Sequence, residues 1–265
     1  TVVVMSHHDA ARSAFFFNPA ITEAIGEHAP WVFEQNDTSP PLMWPVVAGP
    51  GLVAAGAASG SRALTKLGMA LSAGTAAFMA DIASRGVVPG ANDNGTGCVA
   101  QLALARALAE RPTESVRVLF LSTSEEALCE GMGLFMDRHA HELPPDRTFF
   151  LCLDTIGSPH LCVLRGEGML QMREYPAEAL GLLDSTAEEL GIELVPNLRL
   201  RNATDGVFPL AAGYQCASVC SCNEFKNPSN YHWPTDTAAN VDYSTLADGI
   251  RLAEAVIRRL DQRWL

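Results

Sequence analysis

Three short apolar runs in the sequence each end in histidine or acidic residues. Residues 1–5 lead into the letters SHHD, residues 116–122 are followed by Glu125 and Glu126, and the run 148–154 ends in Asp154. Short runs of this kind are typical of buried strands, and amphipathic segments between them indicate helices. This alternation predicts an α/β fold with a mostly parallel sheet. Because α/β folds bind ligands beyond the carboxyl ends of their strands, these acids and histidines mark the predicted site.

The remaining patterns fill in a single domain. The 265 residues include 48% hydrophobic and 18% charged residues, so the chain can bury a substantial core. A net charge of −12, without a cluster of Lys and Arg, excludes nucleic acid as the main partner. The run 116–122 has the pattern of a central strand. Further short strands are predicted at 161–165 and 217–220, and helices at 97–109, 132–139, 176–190 and 242–260.

Residues 10–86 differ from the rest and are interpreted as an apolar insertion into this domain. They are rich in Ala, Gly and Pro, and the stretches 40–61 and 67–80 carry no charge. The first stretch is long enough to span a bilayer, although it contains four prolines. The segments before and after the insertion are parts of one domain, so the chain can cross a membrane only an even number of times.

A membrane hairpin over residues 40–80 is therefore one expectation. Its connection carries Arg62 and Lys66, which would place the tip in the cytoplasm and the α/β domain outside. The alternative is a lid or dimer interface on a secreted protein.

The residue types at the strand ends indicate a metal centre. Imidazole and carboxylate groups together suit Zn²⁺, with Mn²⁺ or Co²⁺ as substitutes. The strand period of two puts His7 and Asp9 on the same side, so Asp9 can hold the second ring nitrogen of a metal-binding His7. Of two adjacent glutamates, one can bind metal while the other handles protons. Each residue alone is also typical of ordinary strand ends and helix caps; their combination indicates the site.

Five motifs in this order resemble the co-catalytic zinc aminopeptidases of metallopeptidase clan MH. This group includes bacterial leucyl aminopeptidases, glutamate carboxypeptidase and the transferrin receptor ectodomain. The family pattern comprises H-x-D, P-G-A-D-D-N-x-S-G, E-E, D-m-x-G and y-H-t-x-x-D-t segments. The matching segments are HHD (7–9), PGANDNGTG (89–97), EE (125–126), DTIG (154–157) and YHWPTDT (231–237).

The resemblance implies a three-layer α/β/α fold with a mixed, mostly parallel central sheet, and a site that holds two zinc ions per chain. It implies that Asp93 bridges the ions, with a cis peptide bond after it. His7 and Asp154 would complete one zinc site, and Glu126 and His232 the other. The general base would be Glu125, and Asp9 would orient His7.

This chain also departs from the family pattern. Asn92 replaces the first of the paired aspartates, and the S-D-H/Y segment is Thr204-Asp205-Gly206. The elements that precede the H-x-D motif in the family are missing, so the chain is expected to lack the usual N-terminal part.

The implied function is hydrolysis of a peptide or small aminoacyl substrate, most simply by an aminopeptidase. A glutaminyl cyclase-like acyltransferase with one zinc is an alternative, and a non-catalytic receptor or scaffold domain is another. No G-x-S-x-G, H-E-x-x-H or P-loop motif supports a rival chemistry.

Overall fold

In the part of the chain that the structure describes, eight strands build two sheets, a large central one and a small second one. The structure is a computed structural model, and it describes residues 1–39, 44–126 and 128–263. The strands are β1 (Val2–His7), β2 (Val118–Thr123), β3 (Phe149–Leu153), β4 (His160–Val163), β5 (Gly166–Glu167), β6 (Arg173–Glu174), β7 (Arg199–Leu200) and β8 (Gln215–Cys222). The central sheet has the order β2-β1-β3-β8-β4, and the small sheet has the order β6-β5-β7.

The central sheet is mixed and mostly parallel, as the sequence predicts. Three of its pairings are parallel, and only β4 runs antiparallel to its neighbour β8. Val2 pairs with both Val118 and Phe149, so β1, β2 and β3 begin in the same register. Their carboxyl ends therefore meet along one edge of the sheet.

The prediction of a central strand at 116–122 is wrong. Among the described strands, β2 has a neighbour on one side only, and its residues 118–121 are half-buried. An apolar run does not distinguish a central strand from an edge strand, because helices that pack on the faces of a sheet cover the side chains of both.

Nine α-helices occur within the described ranges. Four of them confirm the predicted segments 97–109, 132–139, 176–190 and 242–260. The helices are α1 (Pro19–His28), α2 (Trp31–Glu34), α3 (Trp44–Ser59), α4 (Arg62–Ser84), α5 (Thr96–Glu110), α6 (Glu130–His139), α7 (Ala177–Leu190), α8 (Val207–Ala211) and α9 (Tyr243–Arg263).

Helices cover both faces of the central sheet, which confirms the three-layer α/β/α fold. Val2 and Val4 of β1 face the core shared with α5, α7 and α9. Val3 and Met5 face the opposite core, which contains residues of α6 and α8. Alternating side chains of one strand thus fill two cores, so the strand is apolar throughout.

The chain leaves the sheet after β1 and returns just before the loop that precedes α5. The amide of Val88 donates to Ala11 O at 2.9 Å, and the amide of Ser13 donates to Gly86 O at 3.1 Å. Between these points, α3 and α4 pack against each other as an antiparallel pair joined by Gly60 and Ser61.

The interpretation of residues 10–86 as an insertion stays a prediction. Within the described part of the chain, α4 is the one helix both long and apolar enough to cross a membrane. The start of the predicted apolar stretch, residues 40–43, lies outside the described residues.

Candidate metal centre

The strand ends and two loops bring the five predicted metal ligands together around Asp93. His7 Nε2 lies 3.2 Å from Asp93 Oδ1, and His232 Nε2 lies 3.2 Å from Asp93 Oδ2. Asp154 Oδ1 is 3.9 Å from His7 Nε2, and Glu126 Oε2 is 3.4 Å from His232 Nε2. Each oxygen of the Asp93 carboxylate thus faces one imidazole, and each imidazole has a further carboxylate beside it.

Asp9 connects the end of β1 with the pair of glutamates. His7 Nδ1 is 3.2 Å from Asp9 Oδ1, which leaves Nε2 free to point at Asp93. The Asp9 carboxylate also accepts hydrogen bonds from the backbone amides of Glu125 at 2.9 Å and Glu126 at 3.2 Å. One side chain therefore holds the His7 ring and the turn after β2, an arrangement typical of groups that orient metal ligands.

Glu125 lies beside His7 and Asp154. Its carboxylate shares a space with His7 and Asp154 in which ligand atoms of all three lie within 4.8 Å of one another. The backbone amide of Asp205 donates to Glu125 Oε2 at 3.0 Å. Burial raises the pKa of Glu125 well above its usual range, and the charge of Asp154 raises it further. A held carboxyl group with a raised pKa is suited to accept and return a proton.

The centre contains more negative charge than its own histidines balance. Burial, together with the charge of Asp93, raises the pKa of Glu126 to about 7 and that of Asp154 to about 6. Burial lowers the pKa of His7, but its bond to Asp93 and the charges of Glu125 and Asp154 outweigh burial and raise it to about 12. Burial and the mutual repulsion of these carboxylates therefore disfavour their charged forms unless a cation is close by.

This donor set fits a divalent metal. Asp93 is buried, and among the described residues its Oδ2 accepts no hydrogen bond of good geometry, although His232 Nε2 is 3.2 Å away. Burial raises the pKa of Asp93, but the imidazoles of His232 and His7 outweigh it and bring the pKa below its usual range. A buried carboxylate oxygen facing imidazole nitrogen, with oxygen and nitrogen donors on both sides, matches the preference of zinc.

The loop before α5 fixes Asp93 in place. The Asp236 carboxylate accepts from the amides of Asn92 at 2.7 Å and Asp93 at 3.1 Å. The Asn92 carboxamide accepts from Gly157 N at 2.8 Å and donates to Ser158 Oγ at 3.1 Å. An amide can do both, so asparagine at this departure from the family pattern holds the loop. The Asp93–Asn94 peptide is cis, which confirms that expectation.

All seven predicted residues meet at one centre, and their roles as ligands, base and positioning group stay predictions.

Sequence reasoning missed the contribution of three other residues. Asp205 accepts a hydrogen bond from Thr123 and supports Glu125 through its amide. The ring of Tyr231 stacks on His232 at 3.8 Å, and the ring of Phe17 meets His232 edge-on at 4.7 Å. The departure at 204–206 was a signal for Asp205; Phe17 lies in the insertion and had none.

Comparison with known proteins agrees with this geometry. The sequence profile of Peptidase family M28 matches residues 71–257, well over half of the chain. The chain belongs to this family. The resemblance to the zinc aminopeptidases of clan MH is thereby confirmed. No curated protein matches the chain significantly.

Solved structures give the same fold. A zinc aminopeptidase from Bacillus subtilis has 25% identity and a TM-score of 0.53 over 65% of this chain and 42% of its own. The LapA aminopeptidase of Legionella pneumophila has 16% identity and a TM-score of 0.56, over 66% and 47%. A Bacteroides thetaiotaomicron glutaminyl cyclase bound to N-acetylhistamine has 21% identity and a TM-score of 0.54, over 66% and 64%. The chain spans less than half the length of the two aminopeptidases, and the likeness to LapA and the cyclase shows the fold alone.

Proposed function

We propose that this protein is a zinc-dependent peptidase that releases N-terminal residues from peptides. The observation that carries the proposal is the Asp93 carboxylate, buried between His7 Nε2 and His232 Nε2 at 3.2 Å from each. A carboxylate flanked in this way by two nitrogen donors is suited to bind two cations at once. Family membership and the likeness to the zinc aminopeptidase from Bacillus subtilis support the same reading.

The grouping of the donors supports a proposal of two zinc ions per chain. His7 and Asp154 would hold one ion, Glu126 and His232 would hold the other, and Asp93 would serve both. When bound, zinc supplies a Lewis acid that polarises a carbonyl and lowers the pKa of water towards neutrality.

Glu125 would move the proton. Its carboxylate lies beside His7 and Asp154, and its Oε2 accepts a hydrogen bond from the amide of Asp205. In hydrolysis, Glu125 accepts a proton from water as the water oxygen bonds to the peptide carbonyl carbon. It then returns the proton to the nitrogen of the leaving amine as the C–N bond breaks.

The charge of the site favours the amino end of a substrate. Ion pairs of the centre among the described residues join its carboxylates to histidines, and none involves Lys or Arg. Bound zinc ions would offset part of this negative charge, and the carboxylate charge that remains would favour a cationic α-amino group over a C-terminal carboxylate.

The experiment combines zinc analysis with a substrate panel. Protein purified without chelator is analysed for zinc and assayed with aminoacyl anilides, the same compounds blocked by N-acetylation, and a glutaminyl peptide. We expect about two zinc ions per chain and hydrolysis that depends on the free amine. One zinc with cyclisation of the glutaminyl peptide would instead identify an acyltransferase. Absence of zinc would point to a non-catalytic domain.

A further inference from the structure

The α3–α4 pair exposes an apolar surface on all sides. Helix α3 carries no charged residue, and in α4 only Arg62, Lys66 and Asp81 are charged. Large apolar side chains are turned outward; Val47, Leu67 and Met69 are 54%, 52% and 60% exposed. A helix that is apolar all round belongs in a protein core or in a membrane, whereas a surface helix or one side of a dimer has a single apolar face. Here only 6% of the most apolar window of α4 is buried, so the core is excluded.

Charges mark the two ends of the pair. Between Asp37 and Asp81, Arg62 and Lys66 are the only charged residues, and both lie at the tip. At the base, Asp81 and Arg85 form an ion pair at 2.8 Å. The 23 residues of α4 span about 35 Å, close to the roughly 30 Å of a bilayer core. The 16 residues of α3 span about 24 Å, a shortfall that bilayers accommodate by local thinning.

The two helices pack as membrane helices do. A Cβ at Gly68 would lie 2.7 Å from Gly49 O, and a Cβ at Gly56 would lie 2.6 Å from Thr65 N. These glycines let the two backbones approach each other, as small residues do between transmembrane helices, where no hydrophobic effect drives association.

The base of the pair is fixed to the domain next to the metal centre. Asp81 accepts from the amide of Phe15, and Arg12 donates to Arg85 O at 2.6 Å. The ring of Phe78 on α4 lies 6.0 Å from the ring of Phe17, which in turn contacts His232. A bilayer around α3 and α4 would therefore reach to within one aromatic side chain of the centre.

We propose that α3 and α4 cross a lipid bilayer as a hairpin and hold the metal centre at the membrane face. Arg62 and Lys66 at the tip place the tip in the cytoplasm and the centre outside it, because cytoplasmic loops carry the excess of basic residues. This proposal does not depend on peptidase activity, since it concerns only where the protein resides.

The first experiment tests membrane insertion. The full chain is produced in bacterial cells, and membranes are washed with alkaline carbonate and then treated with dodecyl maltoside. We expect the protein to resist carbonate and to require detergent. Ala54→Glu with Ala73→Glu puts one exposed charge near the middle of each helix and should reduce the carbonate-resistant fraction at least tenfold. The matched control, Ala63→Glu beside Arg62, changes an exposed alanine at the tip and should leave this fraction unchanged.

Release of the parent chain by carbonate would overturn the proposal, whether it then elutes as a monomer or as a dimer joined through this surface. Retention of the doubly charged variant would also overturn it, because another segment would then be the anchor. Zinc content and circular dichroism of that variant distinguish a folded, released protein from an unfolded one.

The second experiment tests the orientation. An Ala63→Cys variant places a thiol at the tip, and labelling is compared with the parent chain, in which six of the seven cysteines are buried. A membrane-impermeant maleimide should label the tip only after spheroplasts are permeabilised. Labelling of intact spheroplasts would overturn the external position of the centre.

Discussion

The metal centre and the α3–α4 hairpin reverse the usual distribution of residues in opposite ways. The centre buries charge: Asp93, Asp154 and His7 are each no more than 5% exposed. The hairpin exposes apolar side chains: Met69 is 60% exposed and Leu67 is 52% exposed. Either arrangement is costly in water, because buried charge loses hydration and exposed apolar surface orders or displaces water.

Each region has a cost that a partner from outside the chain can offset. Carboxylates gathered around two histidines require a cation, which the fold provides for by aiming donors at one point. An apolar helix pair with charges only at its ends suits the hydrocarbon environment of the proposed bilayer hairpin. In both regions, the departure from ordinary burial is the observation behind the proposed partner, zinc in one and lipid in the other.

The largest expected effect separates the two glutamates of the centre. Glu125→Gln keeps the shape of the side chain and removes its basicity, so kcat should fall by about 10²- to 10⁴-fold with zinc retained. Glu126→Ala should lose zinc as well as activity. Steady-state kinetics and zinc analysis of the two variants measure these effects. Glu130→Gln, at an exposed glutamate on α6, is the matched control. Zinc loss from Glu125→Gln would mean that the roles are exchanged, and normal turnover would falsify the assignment of the base.

A second prediction concerns Glu167, a fully buried acid away from the metal ligands. It accepts hydrogen bonds from Tyr175 and from the amide and hydroxyl of Thr204. Burial raises its pKa from 4.5 to about 7. The folded state therefore keeps the proton to higher pH than the unfolded state, so this stabilisation is complete below pH 4.5 and is lost as the pH rises through 7.

Glu167→Gln should remove that dependence. The loss of unfolding free energy between pH 4.5 and 8 should be smaller than in the parent by up to about 3 kcal/mol. Urea unfolding of the zinc-loaded proteins at several pH values measures this difference. Glu178→Gln, at an exposed glutamate, should show the parent profile. If the unfolding free energy of Glu167→Gln had the same pH dependence as that of the parent, ionisation of Glu167 would not be a source of that dependence.

A third prediction sharpens the role of Asp9. Asp9→Asn replaces a carboxylate that accepts from two amides and holds His7 Nδ1. We expect zinc affinity or kcat/KM to fall by about 10- to 100-fold, the usual cost of losing a group that orients a metal ligand. Competition with a chromogenic chelator gives the affinity, and Asp146→Asn at an exposed position is the control. A loss below twofold would mean that the turn after β2 positions the centre without Asp9.

The smallest expected effect tests the connection between the two regions. Phe17 contacts both Phe78 of the hairpin and His232 of the centre. A double-mutant cycle of Phe17→Ala and Phe78→Ala should give a coupling in unfolding free energy of about 0.5–1.5 kcal/mol. Phe17→Ala should also change kcat/KM by less than tenfold. The change in kcat/KM caused by Phe78→Ala should be smaller than that caused by Phe17→Ala. Additive effects would mean that the hairpin and the centre are independent.

Local patterns in the sequence were sufficient for much of the fold. The strands ending at His7 and before Asp154, and the helix following Asp93, were predicted within a few residues, because burial imposes periodicity along each element. The edge position of β2 was not predictable, since the same apolar run suits either position. The small second sheet was also missed, because two-residue strands leave no pattern.

The sequence alone contains the residue types that make the metal centre and the α3–α4 hairpin distinctive. The ordered motifs carry the donors of the metal centre, and the stretch between Asp37 and Asp81 carries its charges only at the turn. These are properties of composition and spacing, which the chain has before it folds. Only the tertiary structure decided that the amide of Asp205 holds Glu125, that Tyr231 stacks on His232, and that Phe17 connects the hairpin to the centre. The contacts of Asp205 and Phe17 join residues far apart in the chain, so they depend on how the elements pack. The rings of Tyr231 and His232 are neighbours in the chain, but their stacking depends on the backbone conformation at His232, where φ is 50°.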